Sequence, residues 1–537
     1  MQFLKNTPSW LRFLIVFMFL IGMFFRFFNL EGKVYWHDEV YTSMRASGFT
    51  RQEIDQELFQ NKIIPAQELQ KYQRLQPGST PLDTIKSLEI EDPQHPPLYF
   101  LMARFWMQIF GPSLTASRAL PALLSLLAIP LMYGLGRELF TSEIAALIAA
   151  GFIAISPFDI LFAQTARQYS LLTVAVIGSS FLLLRALRLP SWKNWGLYTI
   201  ANAVGLYTHP FFGMTLIAQG TYVFLLLVTG KTNTNTSIFK NRTVQSTVIA
   251  IACSLILYIP WIVVLINNYQ RASDTTNWTR VTVDFLYLLK LWILSFTALF
   301  FDLEFGFDNI WTYVPRLLII IIIAAAIYAV CRQSDGLSSA RSDRTTWLFI
   351  LTTIFVPFLL LVVPDLLLGG KRSAVSRYLI SSYPGVQLVV AYLLGTKISP
   401  RRVLWQGVML LLIAGSVASL TVSAFSVTWW SKDLSYANAE IVRRVNATSS
   451  PVVISDIGDD FTNTGDLISL SYLWHQDVKL LLIDKSQLEV LNIRSLIPKN
   501  SELFFFRPSQ KIIEAVQQEL GQLTPVFAPG RLWQLKR

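Results

Sequence analysis

Residues 11–42 read LRFLIVFMFLIGMFFRFFNLEGKVYWHDEVYT. The apolar stretch, running to about Leu30, is long enough for one helical crossing of a bilayer. It ends in WHDEVYT, where His37, Asp38 and Glu39 stand side by side among aromatic residues. A membrane exit is ordinarily lined by Lys, Arg, Trp or Tyr, so two adjacent carboxylates there call for a reason. One is helix N-terminal charge, since VYTSMRAS (40–47) reads as a short helix. A single carboxylate would serve that purpose. The second, beside His37 and next to Trp36, points to function.

The rest of the chain repeats the apolar pattern. Over 537 residues it is 53% hydrophobic and 15% charged, with a mean hydropathy of +0.45, as expected of a polytopic membrane protein. The net charge of +11 is spread in short clusters between hydrophobic runs, which argues against a nucleic-acid partner. Lys5 and Arg12 precede the first run, which lacks a small-residue cleavage site and reads as an uncleaved signal anchor with a cytoplasmic N-terminus. Cys253 and Cys331 lie inside or at the end of hydrophobic runs, which excludes a disulfide framework and a cysteine metal site.

Candidate spans lie near 10–30, 118–137, 143–158, 168–187, 194–209, 211–229, 245–267, 313–331, 346–364, 377–396 and 403–425, with 97–110 and 284–301 ambiguous. If both ambiguous segments lie along the interface, the clusters around Arg185, Lys231, Arg341 and Arg401 fall on the cytoplasmic side, as basic loops do. That threading gives about eleven spans, with about thirteen as the alternative. Either count puts the C-terminus outside. The protein is expected in the plasma (inner) membrane.

Residues 1–429 therefore form a membrane domain whose first external loop, within 31–117, carries amphipathic stretches (RQEIDQELFQNKI, TIKSLEI) expected to lie on the membrane. Residues 430–537 change character. PVVIS, VKLLLID, ELFFF and PVFAPGRLWQLKR read as strands, and 462–475, 486–494 and 509–520 as helices. The expected fold is an all-α polytopic membrane protein with interfacial helices and a small extracytoplasmic α/β domain.

This topology brings a set of polar residues to the external face: His37, Asp38 and Glu39; His95 in QHPPLYF; Asp159, Gln164, Arg167 and Tyr169 in SPFDILFAQTARQYSLL; His209 in LYTHPF; and Lys371, Arg372, Arg377 and Tyr378 in GGKRSAVSRYLISSYP. Ionisable groups at such depth are costly and mark functional cavities. Carboxylates come early in the chain and strong cations late. A base and an anion-binding wall are thus both available. His37, His95 and His209 with Asp38 lack metal-ligand spacing. No cofactor is required, although Asp38 and Glu39 are able to hold a divalent cation.

WHDEVYT, QHPPLYF, SRALPALLSLLAIPLMYGLGRELF followed by SPFDILFAQTARQYSLL, and SRYLI…YP together resemble, in order, the GT-C glycosyltransferases of the protein O-mannosyltransferase and aminoarabinose-transferase type. The resemblance implies a polyprenyl-phosphate-linked sugar as donor, taken from the lipid on the external side, and an acceptor reaching in from outside. It maps the family's acidic catalytic position onto Asp38, with Glu39 its neighbour, and the His/Lys before Pro-Pro onto His95. Phosphate then falls to His95, Arg167, Lys371, Arg372 and Arg377, and the sugar, lipid or acceptor to Trp36, Tyr169, His209 and Tyr378. Two other readings stay open: a transporter or flippase of a lipid-linked sugar, and an envelope assembly scaffold. A transporter would more commonly show paired repeats and mid-membrane charges.

Overall fold

The computed structural model describes residues 8–229, 242–303, 310–333, 342–398, 403–487 and 491–535. Lys231, Arg341 and Arg401, on which part of the threading rests, lie outside the described residues. The chain divides into two compact units, each described here by itself.

The first unit comprises Met1–Phe28, Asp92–Tyr99 and Arg118–Ala424, and its regular elements among the described residues are all helices. Among the described residues seven helices are long and apolar enough to cross a bilayer, or eight if Glu143–Ile155 and Pro157–Ala163, bent by 51°, form one broken span. The other expected spans are the helices Trp192–Thr208, Phe212–Thr229 and Tyr383–Lys397, of 17, 18 and 15 residues. The two ambiguous segments are the helices Leu98–Phe110 and Phe285–Thr297, of 13 residues each. At 1.5 Å per residue each reaches only about 20 Å, short of a ~30 Å hydrocarbon core. The protein is a multi-pass membrane protein.

The helix Glu143–Ile155 is the centre of this bundle, with ten of its 13 residues buried. Its sequence, EIAALIAAGFIAI, explains why: small side chains let neighbouring backbones come close, which is how apolar helices associate where lipid removes the hydrophobic driving force. A Cβ on Gly136 would come within 2.9 Å of Ala146 Cα, and one on Gly395 within 2.7 Å of Ala145 Cα. Outer helices instead present large apolar side chains, such as Phe13 and Leu20 on the helix Ser9–Phe27 and Ile256 on Arg242–Asn267.

The second unit comprises Asn29–Glu91, Phe100–Ser117 and Phe425–Arg537. It is built on a six-stranded mixed sheet with strands β1 (Lys62–Pro65), β2 (Pro451–Ser455), β3 (Lys479–Leu482), β4 (Glu502–Phe506), β5 (Leu523–Phe527) and β6 (Leu532–Leu535), in the order β1-β3-β2-β4-β6-β5. β2 runs parallel to both β3 and β4, and the edges are antiparallel. The fully buried PVVIS of β2 is the run expected of a central strand covered on both faces. Val452 and Ile454 pack with Ile493, Phe505, Ile512 and Val516 in the core of this sheet.

Three differences from the sequence reading concern this unit. The segment PVFAPGRLWQLKR holds parts of two strands, β5 and β6, joined by a tight turn at Ala528–Gly530. The helix expected over 486–494 begins only at Ile493, with 488–490 outside the described residues. The amphipathic stretches of the first loop pack into protein: Ile54 and Leu58 are buried on the helix Arg51–Leu58, Lys62–Pro65 just after it form β1, which pairs with β3, and Leu88 is buried on Pro81–Glu91. Most of the first loop, Asn29–Glu91 and Phe100–Ser117, therefore forms one compact unit with Phe425–Arg537, where the sequence suggests a loop of 31–117 within a domain of 1–429 and a separate domain of 430–537.

Candidate active site

Within the membrane unit, the polar residues expected at the external face fall into two groups joined by rings. In the first, the helix Tyr169–Arg188 begins directly after Arg167 and Gln168, so both side chains sit at its N-terminal end. An Arg167 Nη lies 3.4 Å from His95 Nε2, and Gln168 Nε2 lies 3.2 Å from His95 Nδ1, which holds the imidazole between them. Arg167 also lies over the Tyr169 ring, 5.8 Å from its centroid. His209 follows the last residue of the helix Trp192–Thr208, and its Nδ1 accepts the Phe211 N–H at 3.1 Å. That bond leaves the proton of the neutral ring on Nε2. The His209 ring meets His95 edge-on and Tyr169 at a tilt, with centroids 6.2 and 6.1 Å away.

The second group is centred on Trp278. Lys371 Nζ lies 5.4 Å and the Arg377 guanidinium 5.7 Å from the Trp278 ring centroid, and Arg377 also lies over Tyr378. The Lys371 N–H donates to the Thr279 carbonyl, fixing this turn against the Trp278 segment. Phe211 joins the groups: its ring meets His209 at 5.0 Å and Tyr378 at 4.4 Å. His95, Arg167 and Arg377 all lie within electrostatic reach of His209. The result is a wall of Arg167, Lys371 and Arg377 with two imidazoles, its cations resting on aromatic faces. An aromatic face orients a cation without cancelling its charge.

The remaining expected residues of this unit are engaged elsewhere. Arg372 is ion-paired with the buried Asp365 at 2.9 Å, and Asp365 also accepts the Ser373 N–H, so Arg372 holds the turn that carries Lys371. Asp159 accepts from Gln387, and Gln164 donates to the Phe25 and Phe28 carbonyls, all inside the bundle. Gln168, Phe211 and Trp278 were missed from sequence because amide and aromatic residues are ordinary at a membrane interface.

In the second unit, WHDEVYT opens the helix His37–Ser47. Trp36 is buried, and its N–H donates to Glu39 Oε2 at 2.9 Å. Glu39 is itself fully buried and ion-paired with Lys432 at 2.9 Å. Glu39 thus closes the first turn, and Asp38 is the carboxylate of the two that keeps partial exposure. Among the described residues no three His, Cys, Asp or Glu side chains come together as a metal site would require.

Comparison with known proteins agrees with this architecture. A family described as dolichyl-phosphate-mannose-protein mannosyltransferase matches residues 94–263, which begin at His95's own motif and include Arg167 and His209. Sequence comparison with curated proteins gives no match. Among solved structures, ArnT from Cupriavidus metallidurans bound to undecaprenyl phosphate superposes with a TM-score of 0.53 at 12% identity, over 98% of both chains. The chain has the GT-C fold. The archaeal oligosaccharyltransferase AglB from Archaeoglobus fulgidus, in complex with an inhibitory peptide and a dolichol-phosphate, gives 0.50 at 13% identity over 93% of this chain and 69% of that one. The apo form of the Archaeoglobus fulgidus oligosaccharyltransferase gives 0.51 at 13% identity, with 89% of this chain covering 65% of that one, so the chain spans less than two thirds of that neighbour's length.

Proposed function

We propose that the protein is a membrane glycosyltransferase that moves a sugar from a polyprenyl-phosphate-linked donor to an extracytoplasmic acceptor, with Asp38 as general base. The observation that carries this reading is the set of Arg167, Lys371 and Arg377 held on aromatic faces beside His95 and His209. Phosphate is already a good leaving group and needs little acid help. It needs fixed cations to hold the charge that develops as the glycosidic C–O bond breaks, and guanidinium forks supply them. The bound state of the similar ArnT, named for undecaprenyl phosphate, supports a lipid phosphate as the ligand of this wall.

The acceptor is the partner that needs a base. Its hydroxyl oxygen attacks the anomeric carbon, its proton passes to Asp38, and the polyprenyl phosphate departs with the bonding electrons. One displacement of this kind inverts the anomeric centre. The burial of Glu39 against Lys432 gives that carboxylate a structural part, which leaves Asp38 to take the proton. Under this reading the N-terminus is cytoplasmic and the sheet-containing unit extracytoplasmic. The test is a transfer assay on purified protein in lipid, using radiolabelled undecaprenyl-phosphate sugars and envelope extract as acceptor. Asp38→Asn should abolish transfer while undecaprenyl phosphate still binds. Normal turnover by that variant would remove Asp38 from the mechanism.

A further inference from the structure

The second unit treats the three residues of the acidic turn very differently. The N–H of His37 donates to Ser435 Oγ at 2.9 Å. Ser435 Oγ in turn donates to Asp466 Oδ1 at 2.6 Å, and that oxygen also accepts from Asn438 at 3.0 Å. The other oxygen, Asp466 Oδ2, takes Arg507 at 2.6 Å and lies 3.8 Å from His37 Nδ1. Arg507 donates its second nitrogen to the Leu434 carbonyl, tying the segment that carries Ser435 to the end of β4. Glu39 is held by Lys432. Position 465, on the helix Asn463–Ser471, is glycine, and a Cβ there would come within 2.6 Å of the His37 ring and 2.7 Å of Tyr41. The α/β fold therefore grips the backbone before Asp38, the ring before it and the carboxylate after it. Asp38 alone keeps partial exposure.

An apolar staple would bury this helix start at lower desolvation cost, since buried ion pairs add little net stability over well-packed apolar groups. A backbone hydrogen bond from His37 to Ser435, itself held by Asp466, and the Glu39–Lys432 ion pair do something else: being directional, they fix one rotation and one height of the turn, as a reacting group requires. We infer that Lys432 and Asp466 are positioning residues for Asp38, and that the C-terminal α/β fold serves to place the acidic turn of the first loop. This inference rests on the assignment of Asp38 as base.

Amide hydrogen exchange and transfer on the full-length protein in nanodiscs test it together. In Lys432→Met, exchange over 37–47 should quicken by about tenfold or more while β2 keeps wild-type protection. Maximal transfer from a radiolabelled undecaprenyl-phosphate sugar should fall by about ten- to a hundredfold, with KM for that donor unchanged. Lys432→Arg should restore both. Gly465→Ala, which alters no charge, should give the same pattern and stands in if Lys432→Met does not fold. Unchanged exchange over 37–47, an increase spread evenly over the whole unit, or faster local exchange with normal transfer would each overturn the inference. Asp38→Asn separates the two readings: it should lose transfer with wild-type exchange. Should Asp38→Asn transfer normally, the catalytic assignment falls while exchange still decides whether the α/β fold holds the turn.

Discussion

Apart from Arg372, which pairs with Asp365, the candidate-site cations of the membrane unit are held differently from three buried or half-buried cations of the sheet-containing unit. In the sheet-containing unit Lys432, Arg507 and Arg45 are locked onto Glu39, Asp466 and Glu91, so their charge is met inside the fold. In the membrane unit Lys371 and Arg377 lie on the faces of Trp278 and Tyr378, and Arg167 on Tyr169. A carboxylate cancels a cation's charge, whereas a ring face orients the cation. The first arrangement builds a structure; the second is the one proposed to meet a lipid phosphate. For Arg507 and Arg377 the contrast predicts a cost in stability for the first and in activity for the second.

The largest effect belongs to Asp38, the proposed base, which keeps partial exposure where Glu39 is buried against Lys432. Asp38→Asn should lower transfer by about 10²–10⁴-fold, the usual range for losing a general base, with undecaprenyl phosphate binding intact by tryptophan fluorescence or equilibrium dialysis.

Next comes an exchange of phenotypes between the units. Arg507→Met leaves Asp466 buried without its strongest partner, and breaking a buried pair in this way costs about 3–5 kcal/mol. It should appear as a lowered thermal midpoint and poor yield. Arg377→Gln in the membrane unit should leave the thermal midpoint within a degree or two. It should instead lower transfer by about 10²-fold, as removal of one preorganised charge-stabilising donor does. If Arg377→Gln were the destabilising variant and Arg507→Met the inactive but stable one, the contrast between the units would be inverted.

How far the sequence revealed this follows from the same physics. The central strands were readable because PVVIS and ELFFF are apolar runs bounded by polar turns. β1 was not: KIIP is four residues whose strand character comes from pairing with β3, more than 400 positions away. The amphipathic helix Arg51–Leu58 shows its apolar face in the sequence, but periodicity does not say whether that face meets lipid or protein. For the site, residue type and topology singled out Arg167, Lys371, Arg377 and the imidazoles, since ionisable groups at membrane depth are conspicuous. Adjacent Asp38 and Glu39 point about 100° apart on a helix, and which of them turns inward depends on Lys432, itself unremarkable in the sequence. The division of labour between them needed the fold.

The smallest expected effect concerns Trp278, which no sequence argument selected. It touches both Lys371 and Arg377 and is itself 39% exposed, so it has two possible partners: the cations and the lipid. A cation–π contact at such a site contributes about 0.5–2 kcal/mol, hence Trp278→Ala should weaken undecaprenyl phosphate binding by roughly three- to thirtyfold, and Trp278→Phe by less. Magnitude alone does not identify the partner. A double-mutant cycle with Lys371→Met does, because residues acting through one another are non-additive. If Trp278 works by holding the cations, its removal should cost little once Lys371 is gone, and the single-variant loss should shrink at high salt as the phosphate contact is screened. If the two losses add fully and ignore salt, Trp278 serves the polyprenyl chain, and the ring-held wall is maintained by Tyr378 and Tyr169 instead.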